Sequence, residues 1–301
     1  MKNLTLFLFA FMLVITACND EEITAPKNEK APLVAESASD PKFIVFESVN
    51  EYDSILDTLS NMNDSMLLAW AQGFVGYNCR LAVSSESQLE ADGIYDEVLA
   101  TILSELNIVQ IDEHVFQLNF STEEVYALHE NDFDNPSDFN SENANMDVYS
   151  FGDDVLDAVA NKTHTNCNKE KDGPLTWSPS SGSGGTLKRK IVYQRAGLYH
   201  SIIIKHKKNY RGQLNFGFTR FGEKVEPADS FFYKVRGATQ PTLISQKSFD
   251  NGGRRRAYSV DNRFYVSRTP LVEFEVAANF YYELPGGGGS NNDVMSISCG
   301  H

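Results

Sequence analysis

Hydrophobic and polar positions divide the chain into segments of different period. Leu4 to Ile15 is an apolar run that follows Lys2 and closes at Ile15-Thr16-Ala17-Cys18. It is far shorter than the ~20 residues of a bilayer-spanning helix. A basic start, a short apolar run and small residues predict a cleaved signal over residues 1–17. Residues 18–40 are polar, contain two prolines and lack periodicity, so they read as a tether.

Periodicity begins after residue 41. Phe43 to Phe46 predicts a short strand, and Ser48 with Glu51 has the spacing of a capping box at a helix start. Tyr52, Ile55, Leu56 and Leu59 continue at helical spacing, and a second helix is expected over Ser65 to Gln72. These two form a helical hairpin. A further helix from about Gly93 to Leu106 follows. Strands are predicted at Ile108–Ile111 and Val115–Phe120, turning at Asp112-Glu113, and at Glu124–Leu128. Asn131 to Met146 is acidic, Asn-rich and irregular, an exposed loop. A strand over Asp147–Phe151 and a short helix over Asp153–Ala160 complete a small mixed α+β domain assigned to residues 41–165.

Beyond Cys167 the period changes to that of strands. Asp172 to Thr186 is rich in Gly, Ser and Pro and is expected to be loop. Strands are expected at Leu187–Gln194, Leu198–His206, Leu214–Arg220, Ser230–Arg236, Leu243–Phe249, Ala257–Asp261 and Val272–Leu284. Val272, Phe274 and Val276 alternate with Glu273 and Glu275, the pattern of a half-buried strand. Asn251-Gly252-Gly253 predicts a turn. The fold class is therefore α+β followed by an all-β sandwich or partly open barrel over residues 166–301.

Charge adds a second division. The chain carries 26 Lys/Arg against 41 Asp/Glu, a net −15. Residues 1–167 hold only 6 of the basic and 30 of the acidic side chains, a net −24, which leaves +9 for the remainder. Two halves of opposite sign either dock on each other or present a basic face to an anionic partner. Within the basic half, Lys188-Arg189-Lys190 and Arg254-Arg255-Arg256 are the candidate binding clusters. A solvated surface is the plainer reading of both.

Candidate chemistry is sparse. Of four cysteines, Cys167 opens the β-rich half and Cys299 nearly closes it, so a disulfide between them is expected in an oxidising compartment. Cys79 is then left as a buried thiol. His164, Cys167, Cys299 and His301 offer zinc ligands as an alternative, although the Cys299-Gly300-His301 spacing is tight. Asp132 and Asp134 begin like a calcium loop, but Pro136 and Ser137 occupy the positions of a ligand and the required glycine. His200 and His206 lie at an even offset on one predicted strand with Ile202 and Ile204, which favours burial over catalysis. There is no Gly-x-Ser-x-Gly elbow and no His-Glu-x-x-His, so no catalytic residues, metal or cofactor are assigned.

Ile15-Thr16-Ala17-Cys18 resembles the bacterial lipobox, which implies diacylation of Cys18, cleavage before it and acylation of the new N-terminus. Asn19-Asp20-Glu21-Glu22 is similar to the surface-export signal of Bacteroidetes lipoproteins. Phe46, Ser48, Glu51, Tyr52, Leu56, Leu59, Ser60, Asn61, Met62, Trp70, Gly73 and Phe74 carry a pattern that resembles uncharacterised Bacteroidetes lipoproteins of about this length. The resemblance implies the same order of parts and no particular activity. Asp53-Ser54-Ile55, Asp57-Thr58-Leu59 and Asp64-Ser65-Met66 resemble the O-glycosylation pattern of the same phylum.

The expectation is a lipid-anchored, outward-facing outer-membrane protein. Its partners would be the membrane through Cys18 and a glycan or anionic envelope ligand, with nucleic acid excluded by compartment. A non-catalytic binding module is the first reading of function. A secreted hydrolase with an unrecognised site and a structural subunit of a surface complex are the alternatives.

Overall fold

The computed structural model describes residues 33–34, 43–157, 169–177, 185–209, 214–220, 232–235, 239, 242–243, 247–253, 257–283 and 290–299. The architecture is mixed and strand-rich, with a helical part preceding most of the sheet. None of its three sheets closes on itself among the described residues.

The first half contains β1 (Leu33–Val34), β2 (Ile44–Phe46), α1 (Val49–Ser60), α2 (Asp64–Gln72), α3 (Arg80–Val83), α4 (Glu86–Ala91), α5 (Glu97–Ile102), β3 (Ile108–Ile111), β4 (His114–Asn119), β5 (Glu124–His129) and β6 (Asp147–Ser150). The six strands form one sheet in sequence order. Only β2 and β3 run parallel, so the five helices are the crossover between them. Ser48 caps α1, its Oγ accepting from the Glu51 amide at 3.2 Å. The Glu51 carboxylate accepts from the Glu47 amide at 2.5 Å rather than from Ser48, so only half of the expected box forms. Tyr52, Ile55, Leu56 and Leu59 are buried, as their spacing requires. The one long helix expected over Gly93–Leu106 is shorter, α5 alone, and α3 and α4 precede it as short helices. No helix forms over Asp153–Asp157, and residues 158–160 lie outside the described set.

The second half contains β7 (Lys169–Trp177), β8 (Gly185–Arg195), β9 (His200–Asn209), β10 (Leu214–Arg220), β11 (Phe232–Val235), β12 (Thr242–Leu243), β13 (Lys247–Gly253), β14 (Ala257–Ser267), β15 (Leu271–Glu283) and β16 (Ser290–Cys299). One sheet runs β14-β9-β8-β7; in the other, β10 and β11 share one edge of β15 while β16 pairs along its opposite edge. Two expectations are corrected. Residues 172–177 form strand rather than loop, because backbone pairing with β8 tolerates the Gly-Pro sequence. Asn251-Gly252-Gly253 is not a turn but the end of β13, paired with Phe216, Asn215 and Leu214.

One hydrophobic cluster draws on β8, β9 and β14 from the first of these sheets and on β10, β15 and β16 from the second. A separate cluster packs α1, α2, α4 and α5 on the six-stranded sheet. The tip of the β8–β9 hairpin enters this second cluster with Ala196, Leu198 and Tyr199. Gly197, at φ +70°, makes that entry possible: a Cβ there would lie 2.5 Å from Val125 Cγ2. The tip is secured by the Gly197 amide donating to Phe151 O at 3.0 Å and by Tyr52 OH donating to Leu198 O at 3.0 Å.

The charge division resolves at this contact. Arg195–Glu123, Lys190–Glu90, Lys205–Glu97, Lys207–Glu86, Arg263–Asp96, Arg263–Glu97, Arg268–Asp53 and Arg268–Asp154 each join a base of the second half to an acid of the first. The deepest is Asp96, which has no exposed side-chain surface and caps α5 by accepting from the Val98 amide at 3.0 Å. Its carboxylate also accepts from Arg263 Nε at 2.7 Å, Tyr199 OH at 2.6 Å and Ser201 Oγ at 2.5 Å. Burial opposes its ionisation, but the Arg263 charge and these donors outweigh burial and hold its pKa below the usual carboxylate value. Arg263 further donates to Ser60 O at the last residue of α1, satisfying one of the carbonyls a helix end leaves open. A β-bulge between Arg263 and Tyr265 lets Arg263 face the helices while Tyr265 enters the sheet core.

Candidate functional site

The Asp96 junction is filled and satisfied. An open groove of about 540 Å³ lies nearby in the first half. One wall is Arg80, at the start of α3, with the stretch from Glu90 to Tyr95; the other is Asn107 with the segment Gln117–Ser121.

Local sequence explains both walls. Gly93 sits at φ +83° and lets the chain leave α4 sharply, with the Ile94 amide donating to Leu89 O at 2.8 Å. Asn107 also has positive φ, 61°, a conformation that Asn tolerates better than most residues. Its turn is tied by Ser104, whose Oγ accepts from the Ile108 amide at 3.1 Å. On the other side of β4, Asn119 Oδ1 accepts from the amides of Ser121 and Thr122 at 3.1 and 3.3 Å, a side-chain mimic of a backbone turn.

The first wall is clamped by β8. Gln194, itself buried, accepts from the Tyr95 amide at 2.6 Å and donates to Gly93 O at 3.1 Å. Lys190 Nζ stands 4.5 Å from the centre of the Tyr95 ring and 3.6 Å from Glu90 Oε1. Arg80 pairs with Asp92. Phe120 packs edge-on against Phe151 at 5.1 Å and is half-buried.

The lining is chemically mixed. Gln117 Nε2 makes a long bond of 3.4 Å to Leu106 O. Arg80 Nε, a donor, and Asn107 Oδ1, an acceptor, are buried without a partner. Among the described residues of the lining, Arg80 carries the one positive charge, against Glu90 and Asp92. Such a surface orients a small polar molecule through planar amides and presents an aromatic ring to its apolar face.

The residues singled out from sequence fall elsewhere. Cys18, Cys167, Arg254, Arg255, Arg256, His164 and His301 lie outside the described residues. Lys188 is exposed, whereas Arg189, its neighbour, is buried, pairs with Asp293 at 2.7 Å and lies over the Phe280 ring at 5.7 Å. Lys190 belongs to the groove clamp, so these three bases do not share one surface. Cys79 is a free, buried thiol, whereas Cys299 is disulfide-bonded, with its partner outside the described residues. His200 and His206 are fully buried. His206 hydrogen-bonds Gly217 O through Nδ1 at 2.8 Å and lies edge-on to Phe216 and Phe280. Burial pushes its pKa down to about 4, helped by the Arg189 charge. Asp132 Oδ1 accepts from Asn145 within its own loop. Ser54 and Ser65 are exposed, and Thr58 Oγ1 donates to Ser54 O.

Sequence reasoning passed over the groove because its residues come from four separate segments of the chain and none belongs to a motif. The available signals were Gly93 and Asn107, turn residues beside predicted helix and strand ends. No family model matches the chain, and no curated protein matches it. Among the described residues, no helix is long and apolar enough to cross a membrane.

Proposed function

We propose that this chain is a lipoprotein of the Bacteroidetes type, acylated at Cys18 and held on the outer face of the outer membrane. It acts as a non-catalytic module that binds an extracellular ligand, glycan or other envelope material, in the groove walled by α3, the end of α4 and the loop after it on one side and by the turn before β3 and the end of β4 on the other. The observation that carries this reading is the groove itself: a preformed, open surface whose lining mixes side-chain amides with charged and aromatic residues. Sequence pointed to basic clusters of the second half as the binding surface. Of those bases, Arg189 pairs with Asp293 and Lys190 with Glu90, and other bases of the second half pair with acids of the first, so the ligand need not be anionic.

We read the two C-terminal sheets as a β-sandwich braced by a Cys167–Cys299 disulfide. Cys299 ends β16, β16 contacts β7, and β7 begins just after Cys167. The chain-entropy model assigns closure of a loop of roughly 130 residues ~4–5 kcal/mol.

The test has two parts. Cys18→Ser should abolish fatty-acid labelling and shift the protein from the detergent to the aqueous phase, and Cys299→Ser should leave that partition unchanged. Purified mature protein should bind extracted cell-surface polysaccharide, with binding weakened about tenfold in Gln117→Ala. Fatty-acid labelling of Cys18→Ser, or polysaccharide binding indifferent to Gln117, overturns the respective half of the proposal.

A further inference from the structure

We infer that residues 85–95 are an adjustable wall of the groove and that the second half sets the position of this wall through Gln194; this rests on the groove being the binding site. The stretch runs from an extended joint at Ser84 and Ser85 to Asp96, which is pinned by Arg263, Tyr199 and Ser201. α4 lies inside it, and of the six residues of α4 only Leu89 is buried. Leu89 and Ile94 attach the stretch to the hydrophobic cluster of the first half, and the Arg80–Asp92 pair adds an exposed tie. An element with so few buried apolar contacts opens at low free-energy cost. Its polar ties therefore decide where it sits.

Those ties come from β8 and β9. Along β8, Ile191 and Tyr193 enter the core of the two C-terminal sheets, which turns Lys190 and Gln194 to the opposite face. Lys190 pairs with Glu90 at 3.6 Å and stands over the Tyr95 ring, and Lys207 of β9 pairs with Glu86. Gln194 holds the backbone itself. It accepts from the Tyr95 amide at 2.6 Å and donates to Gly93 O at 3.1 Å, and only one orientation of its side-chain amide serves both. These bonds fix the wall where it meets the other: a Cβ on Gly93 would stand 3.8 Å from the Phe120 ring. The opposite wall has less freedom, because Gln117, Leu118 and Asn119 belong to β4, which pairs with β3 on one side and β5 on the other. One wall is thus fixed in a sheet and the other is held by the neighbouring half. Binding in the groove and the grip of Gln194 are linked, each favouring the other.

The experiment follows amide hydrogen exchange in the full mature chain, expressed as protection relative to the unstructured chain at each pH. Gln194→Ala should speed exchange at residues 93–95 about tenfold and leave β3, β4 and β5 unchanged. Gln194→Glu separates the grip from general damage to packing. When ionised, the introduced carboxylate still accepts from the Tyr95 amide but has no proton for Gly93 O; when protonated, it donates again. Burial beside a carbonyl raises the pKa of such a carboxyl, so protection lost at pH 8 should return at pH 5, while the wild type is protected at both. Saturating extracted cell-surface polysaccharide should slow exchange of the same amides in the wild type.

Unchanged exchange in Gln194→Ala, a loss spread equally over β3, β4 and β5, or a loss in Gln194→Glu that pH 5 does not reverse overturns the inference. Polysaccharide that binds the wild type without slowing these amides overturns the link between wall and ligand. Polysaccharide that does not bind overturns the groove as the binding site, a failure distinct from that of the wall, which exchange in the Gln194 variants reads without any ligand.

Discussion

Replacing Asp96 with Asn tests whether the two halves are held together by the charge division. The side chain keeps its shape, but the charge is lost and one of the two oxygens becomes an NH₂ group where the folded protein presents only groups that donate to Asp96. Arg263 Nε and the Val98 amide converge on Oδ1 and the Tyr199 and Ser201 hydroxyls on Oδ2, all within 3.0 Å, so the amide fits only with its NH₂ at the Oδ2 side, where the hydroxyls must turn to accept, and the charge facing Arg263 is lost in either case. Removing one partner of a buried pair costs ~3–5 kcal/mol because it strands the other charge. Arg263 retains Glu97 at 3.1 Å and Ser60 O, which places the expected loss near the lower end, about 3 kcal/mol. Urea unfolding at neutral pH should show a lower midpoint with an unchanged slope. Arg263→Met and the double variant complete a cycle, whose coupling should be about 2 kcal/mol. The Asp96 pKa is depressed in the folded state, so its contribution is full above the unfolded value of about 4 and is lost as pH falls through the folded value. A loss below about 1 kcal/mol, or strict additivity with Arg263→Met, refutes the reasoning.

Acid should weaken the fold through His206: its pKa is about 4 when folded and about 6.5 when unfolded. The unfolded chain binds the proton first, so stability declines as pH falls across that window, by about 3 kcal/mol in total. His206→Gln should flatten that part of the profile in thermal melts taken between neutral pH and acid. Gly197→Ala must adopt φ +70° and place a methyl against Val125 and Val155, so it should cost about 3 kcal/mol; an unchanged melting temperature contradicts the packing described for the hairpin tip.

Elements with strong local signals were legible. The period through Tyr52, Ile55, Leu56 and Leu59 and the turn at Asp112-Glu113 appear where their residues predict. β7 was not legible, since Gly173 and Pro174 read as loop and only the partner strand β8 makes them strand. The charge division was visible, but composition leaves open whether opposite charges meet inside one chain or across two. Asp96 reads locally as a helix cap; its partners Tyr199, Ser201 and Arg263 lie more than a hundred residues on. The groove shares that difficulty, being assembled from short segments that carry no pattern of their own.

β1 has a mechanical meaning. It is two residues long and pairs only through Leu33↔Val45 and Val34↔Ile44. A pull on the chain from the N-terminal side is therefore resisted at these two backbone pairs before any buried side chain is loaded. The next described residue, Phe43, is buried, and from there on the sheet is anchored in a hydrophobic cluster. The edge strand is the part that can peel away while every buried contact of the sheet stays in place.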